Sequence, residues 1–171
     1  IVSVVVMSVN VSIGLLMGSL AGYFRGWVDT LIMRAADFLF AFPDFLFVLY
    51  IAATLKPSVV AWVKSVEGSV GLAGFARSGY ADFVVVSMAL GLVGWPGMAR
   101  LVRGQFLTLR EQDFAQAAVA IGVPAWRIML RHILPNALPP IIVALSVGMG
   151  GVVLAETGLS FIGVGIQPPN A

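Results

Sequence analysis

The chain has 171 residues, of which 60% are hydrophobic and only 11% are Asp, Glu, Lys or Arg, with a formal net charge of +2. Soluble domains carry about 25% charged residues, so this composition, with a mean hydropathy of +1.00, reads as an integral membrane protein. The absence of Cys and the single His exclude a disulfide framework, a cysteine nucleophile and a thiolate or His-rich metal site, and the basic residues lie scattered between apolar runs rather than gathered into a nucleic-acid-binding surface.

Ile1 to Phe24 is apolar and long enough to cross a bilayer. Gly14, Gly18 and Gly22 recur every four residues, which predicts a bare stripe on one face where another helix packs closely. The run has no basic n-region and is too long for a signal peptide. It begins without an initiator Met, and the chain closes on QPPNA. The sequence is therefore expected to be part of a longer protein, lacking an N-terminal and a C-terminal span.

Arg25 to Arg34 reads as a short polar link, with Trp27 as an interface anchor. Ala35 to Leu55 reads as the second span, kinked at Pro43, with Asp37 and Asp44 inside it. An acid in a span is costly and a functional candidate by default. Asp37 is expected near the surface, paired with Arg34 three residues away. For Asp44 two readings stay open. It lines a watery translocation path together with Pro43, or it caps the helical half that follows the kink.

Lys56 to Tyr80 is rich in Gly and Ser and reads as a loop, in which VVAWVKSV forms a short interfacial helix. Ala81 to Ala99 reads as the third span, with Trp95-Pro96-Gly97 near its end and Arg100 and Arg103 just after it.

The charged, amphipathic stretch from 109 to 136 is the longest interruption in this apolar chain. On a helix, Phe114, Ala117, Ala118 and Ile121 share one face. Gly122 is expected to stop that helix and Pro124 to open another. The second helix would place Trp126, Met129, Leu130, Ile133 and Leu134 on one side, with Arg127 and Arg131 on the other. Pro135 is expected to end or kink it. By pattern alone this is a docking element or a helix pair lying on lipid headgroups. Ala137 to Leu154 reads as the fourth span, with Pro139 and Pro140 in its first turns and Gly148, Gly150 and Gly151 loosening its middle. The remaining tail is too short to span again.

Links between spans alternate sides. The 25–34 link and the 100–136 loop then share one side, with seven arginines: 25, 34, 100, 103, 110, 127 and 131. The 56–80 loop carries three basic residues, Lys56, Lys64 and Arg77. The positive-inside rule puts residues 100–136 in the cytoplasm and 56–80 outside. The expected fold is an all-α, polytopic transmembrane bundle of about four spans in one domain over 1–171, with cytoplasmic helices at 109–136.

Gln116-Ala117-Ala118, Gly122 and Leu134-Pro135 resemble the EAA loop of inner-membrane permease subunits from binding-protein-dependent ATP-binding-cassette importers. The flanking ALGLVGWPGMARLVRGQ and RHILPNALPPIIV are similar to the dipeptide, oligopeptide and nickel class. Two departures stand out: Gln116 where the family usually has Glu, and Ile133 directly against Leu134-Pro135. The resemblance implies a bacterial or archaeal plasma membrane location. Its implied partners are two ATPases, a second permease subunit and an extracytoplasmic solute-binding protein, with lipid around the spans and no nucleic acid. It also implies ATPase coupling through Phe114, Gln116, Ala117, Ala118, Ile121, Gly122, Leu134 and Pro135. The chain itself is then expected to be no enzyme and to hold no cofactor, ATP being bound by a partner. The 171 residues contain no phosphate-binding loop of the Gly-Lys-Ser/Thr kind, in keeping with that division of labour.

Two other classes compete. A secondary transporter would use intramembrane acids such as Asp44 for ion coupling. An intramembrane serine hydrolase would pair Ser160 with His132, which the predicted topology places on opposite sides of the membrane.

Overall fold

A computed structural model of the protein describes residues 2–70 and 80–163. In chain order these form α1 (Val2–Phe24), α2 (Gly26–Phe40), α3 (Asp44–Val70), α4 (Tyr80–Leu109), α5 (Asp113–Ala120), α6 (Ala125–Arg127), a π-helix (Ile128–Ile133) and α7 (Leu134–Phe161). Among the described residues there is no strand. Four stretches are long and apolar enough to cross a membrane: Val2–Phe24, Asp44–Trp62, Phe83–Leu109 and Ala125–Phe161. The all-helical class and the number of spans agree with the sequence reading, whereas several boundaries differ.

The second span is not 35–55. Proline has no N–H to donate and disfavours the α conformation in the residue before it, so Pro43 separates two helices rather than kinking one. α2 closes with the Ala41 N–H donating to the Asp37 carbonyl at 3.0 Å, and α3 opens with the Phe47 N–H donating to the Pro43 carbonyl at 3.0 Å. The Phe42 and Phe47 rings stack across this entry at 5.3 Å and 16°. That is the hydrophobic staple between the residue before an N-cap and the fourth helical position. α2, at 15 residues, reaches about 22 Å, short of the roughly 30 Å hydrocarbon core.

α3 continues to Val70 with Pro57 inside it, so the expected interfacial helix VVAWVKSV is the end of a span-length helix instead. No glycine occurs between Asp44 and Gly68 to stop it earlier. The rest of the expected loop, 71–79, and the tail after Gly163 lie outside the described residues. α4 runs to Leu109 rather than ending at Ala99, which places Arg100 and Arg103 on the helix itself. Long arginine stems tolerate such positions where carboxylates meet their heads. α7 begins before Ala137, and Pro135 does not end the helical path: the π-helix leads directly into α7, which holds Pro139 and Pro140.

The chain divides into two compact units. One comprises Ile1–Met7, Phe42–Val93 and Met149–Ala171, and the other Ser8–Ala41 and Gly94–Gly148. The first has a core of Val6, Val48, Val85, Val86, Ala89, Leu90, Val93 and Leu159. There the Phe45 ring lies against Gly158, at an ordinary 3.5 Å from where a Cβ would stand.

The second unit is built on the predicted glycine stripe, and its partner is α4. A Cβ added to Gly14 would stand 2.5 Å from Met98 Cγ, one at Gly18 2.5 Å from the Ala99 carbonyl oxygen, and one at Gly22 2.6 Å from Phe106 Cβ. The three glycines thus let two backbones meet where side chains would hold them apart. Between membrane helices there is little hydrophobic gain, and such close van der Waals packing supplies most of the association. Farther along the same seam, the buried Asn10 amide lies against the bare backbone of Gly94.

Candidate functional site

The 109–136 stretch belongs entirely to the second unit. After Leu109 the chain turns through Arg110, Glu111 and Gln112. The Glu111 N–H donates to the Thr108 carbonyl and the Gln112 N–H to that of Leu109, both at 3.2 Å. Gln112 is the extended residue before α5 (φ −74°, ψ 152°), and its carbonyl accepts from Ala115 and Gln116. Asp113 in the first turn complements the positive end of the helix. The alanine-rich run that follows is a strong helix former.

The faces of α5 differ from expectation. Ala115 and Ala118 are its buried residues, at 1% and 5% exposure, whereas Phe114 is 39% and Ile121 81% exposed. Ala117 and Gln116 are also exposed. Ala118 therefore does not share an outward face with Phe114, Ala117 and Ile121. The reason is steric: α5 packs on the π-helix, and only a methyl-sized face lets the two backbones come close. The larger apolar side chains are turned out.

Gly122 stops α5 as expected and does so by a Schellman cap. Its φ is +78°, a conformation that costs an L-side chain about 1–2 kcal/mol. The Val123 N–H donates to the Ala118 carbonyl and the Gly122 N–H to that of Val119, both at 3.0 Å. These are the two bonds that define the motif. Pro124, extended at ψ 145°, opens α6 by accepting from Arg127 and Ile128 at 2.9 and 3.2 Å.

The expected next face holds only in part. Met129 and Ile133 are buried as expected, together with Ile128, while Trp126 and Leu130 are exposed. A π-helix bonds each residue to one five positions away, as Leu134 N–H does with the Met129 carbonyl, and this wider turn brings Ile128 onto the buried side with Ile133. The wide turn sits just ahead of Pro135, where a regular α-helix would meet a missing donor and a ring clash. Leu134 is half-buried and Pro135 exposed.

Four arginines, read in the sequence only as a topological signal, tie α4 to α2 and the turn before α5 to the end of α1. Arg103 on α4 grips Asp29 on α2 through Nε and Nη2, each 2.5 Å from a carboxylate oxygen. Such bidentate pairs fix geometry as well as charge. Arg100 reaches Asp37 at 2.6 Å and lies over the Phe40 ring at 4.2 Å. Asp37 thus pairs with Arg100 and not with the expected Arg34, because α2 turns its acids toward α4 while Arg34 is exposed. Arg110 donates to the Tyr23 carbonyl at the end of α1 and stands 5.2 Å from the Tyr23 ring centre. Arg25 pairs with Glu111 at 2.5 Å. No local pattern announces contacts between residues 63 to 87 positions apart.

Gln116 Nε2 donates to the Glu111 carbonyl at 2.9 Å. A carboxylate could not make that bond, so the amide at this position has a structural use of its own. Pro43 and Asp44 stand together at the start of α3, both exposed, with Asp44 in the first helical turn. No cluster of three or more His, Asp or Glu side chains suited to a metal occurs among the described residues.

The model of one family, described as "Binding-protein-dependent transport system inner membrane component", matches residues 14–171. The glutathione transport system permease protein GsiD of Pectobacterium atrosepticum is 36% identical over 161 residues, covering 94% of this chain and 46% of that protein. The oligopeptide transport system permease protein OppC of Haemophilus influenzae is 35% identical over 161 residues, covering 94% and 44%. The dipeptide transport system permease protein DppC of Alkalihalophilus pseudofirmus is 36% identical over 156 residues, covering 91% and 43%. The chain thus spans a little under half the length of each of these relatives.

Proposed function

We propose a function from one premise: the chain belongs to the family of inner membrane components of binding-protein-dependent transport systems. It is a multi-pass part of an importer permease. It carries peptides or a related small solute, the class named in its relatives, which include glutathione, oligopeptide and dipeptide permeases. Two ATPase subunits bind ATP and dock on the cytoplasmic side at residues 109–136. A second permease subunit completes the pathway, and an extracytoplasmic binding protein delivers the solute. Pro43 and Asp44 border that pathway, and this chain has no catalytic role.

The observation that carries the reading is the exposed apolar face of α5. Phe114, Ala117 and Ile121 are turned outward from a helix whose inner face is alanine and whose end is closed by the Gly122 cap. An exposed apolar surface on a rigidly capped helix suits a protein partner. ATP-driven closure of that partner would move α5 as a body, a rigid-body transition of the kind that switches access in transporters. Leu134 and Pro135 lie where this motion would enter α7. The rival ion-coupled transporter loses support from the family.

The test uses single cysteines in the full-length protein with any other cysteine removed, since these 171 residues contain none. Cys at Ala117 or Ile121 should crosslink to the ATPase with a yield that changes on ATP addition. Cys at the buried Ala118 should crosslink poorly. Labelling of positions 117 and 121 by an aqueous maleimide, with no crosslink in any nucleotide state, would sink the docking model.

A further inference from the structure

We infer that Arg25 and Arg110 are positioning residues: they clamp the three-residue turn before α5 to the end of α1, so that displacement of α5 is delivered to α1 instead of being absorbed in the turn. The inference rests on the reading of α5 as the coupling element.

The first observation concerns the end of α1. The Tyr23 carbonyl lies in its last turn, where the last four carbonyls of a helix have no helical donor. Arg110 supplies one, and its guanidinium also faces the Tyr23 ring at 5.2 Å. A cation here further complements the negative end of the helix. Arg110 thus ties the first residue of the turn to α1.

The second observation is backbone strain. Arg25, between α1 and α2, has φ 56° and ψ −163°. It is the one non-glycine residue with positive φ among the described residues. That region is essentially reserved for glycine, and a side chain persists in it only where surrounding contacts over-determine it. The side chain held there reaches Glu111 at 2.5 Å. With exposures of 44% and 66%, this pair contributes little stability, so stability does not account for keeping an arginine in a glycine conformation. Fixing the position of Glu111 does.

The third observation links Glu111 onward. Its carbonyl accepts from Gln116 Nε2 at 2.9 Å, within α5. A continuous polar path therefore runs from α5 through Gln116 and Glu111 to Arg25 at the α1–α2 junction. Arg110 makes a second, parallel tie. Beyond them, α1 is locked to α4 by Gly14, Gly18 and Gly22, so a clamped α5 would pull on a stiff seam.

The experiment reads this directly and needs no knowledge of the solute. In the full-length permease assembled with its ATPase, spin labels are placed at Leu16 on α1 and Ile121 beyond α5, both exposed. Their distance is measured without nucleotide and with ATP trapped. In the wild-type background it should stay constant. In Arg25→Gly/Arg110→Gln it should shift or broaden by about 2 Å or more on ATP binding, the scale of a helix displacement. Arg25→Gly alone should not lower the melting temperature, since it relieves the strain. Arg25→Glu should loosen the distance, and Arg25→Glu with Glu111→Arg should restore it. A wild-type distance that shifts with ATP, a clamp variant that stays constant, or a charge swap no better than the single reversal would each overturn the clamp. The Ala117 crosslink separates this from the parent reading. If the crosslink forms and the clamp variants behave as wild type, only the clamp fails; if it does not form, the coupling reading fails.

Discussion

Two seams in the same unit of this inner membrane component are made of small residues, and they differ in length and in what meets across them. The α1–α4 seam uses three glycines over nine residues and brings side chains against backbone. The α5 seam uses two alanines, Ala115 and Ala118, over less than one helical turn. Packing energy grows with the number of close atom pairs, so the long glycine seam can hold two helices by itself. The alanine seam is shorter, and the ties from Arg25, Arg110 and Gln116 hold the turn before α5 rather than the seam itself. Small residues in a membrane protein therefore mark close approach in general.

The comparison can be broken most severely at Gly18. A leucine there would drive side-chain atoms into the Ala99 carbonyl and Val102. We expect a loss of about 3 kcal/mol or more, read as a lowered melting temperature in detergent or failure to form a monodisperse protein. The matched control is Gly104→Leu on α4, where a Cβ would meet nothing within 4 Å and the change should stay near 1 kcal/mol or below. Equal behaviour of the two variants would mean that the glycine seam is not the joint described here.

A middle-sized effect should distinguish the two faces of α5. Ala118→Lys buries an ammonium group at a 5% exposed position and should cost about 2 kcal/mol or more. Ala117→Lys, on the exposed face, should leave stability within about 0.5 kcal/mol while abolishing the ATPase crosslink from a cysteine at Ile121. Thermal unfolding and crosslinking on the same pair of variants decide the matter. A stable Ala118→Lys protein would return that residue to the outward face. The smallest effect belongs to Gly122→Ala, which keeps both seams but strains the cap at φ +78°. It should lose about 1–2 kcal/mol and accelerate amide exchange at Val123, whose N–H closes the Schellman motif.

Much of this was readable before any coordinates. The length and apolarity of the spans, the stop at Gly122 and start at Pro124, and the glycine stripe on the first helix all follow from local rules. Glycine alone is at ease at positive φ, proline lacks a donor, and a bilayer sets a span length. The errors came where a local rule was asked a non-local question. Asp37 was assigned to Arg34 because a helix brings residues three apart together, but folding brought Arg100 to it. Helical spacing puts Ala118 on the face of Phe114, although the neighbouring π-helix accepts only the methyl group. The 3.6-residue face places Met129 and Ile133 correctly but not Trp126 and Leu130, because the turn there is wider.

The sequence by itself determined the solvent this protein lives in, the helical class, the number of spans and the caps at 122 and 124, since each depends on the chemistry of residues adjacent along the chain. Only the tertiary structure decided which helix the glycines meet, which carboxylate each arginine takes and which side of α5 is left for a partner. Those outcomes depend on pairs of residues tens of positions apart, and the distance between such pairs is set by packing rather than by any single residue's preference.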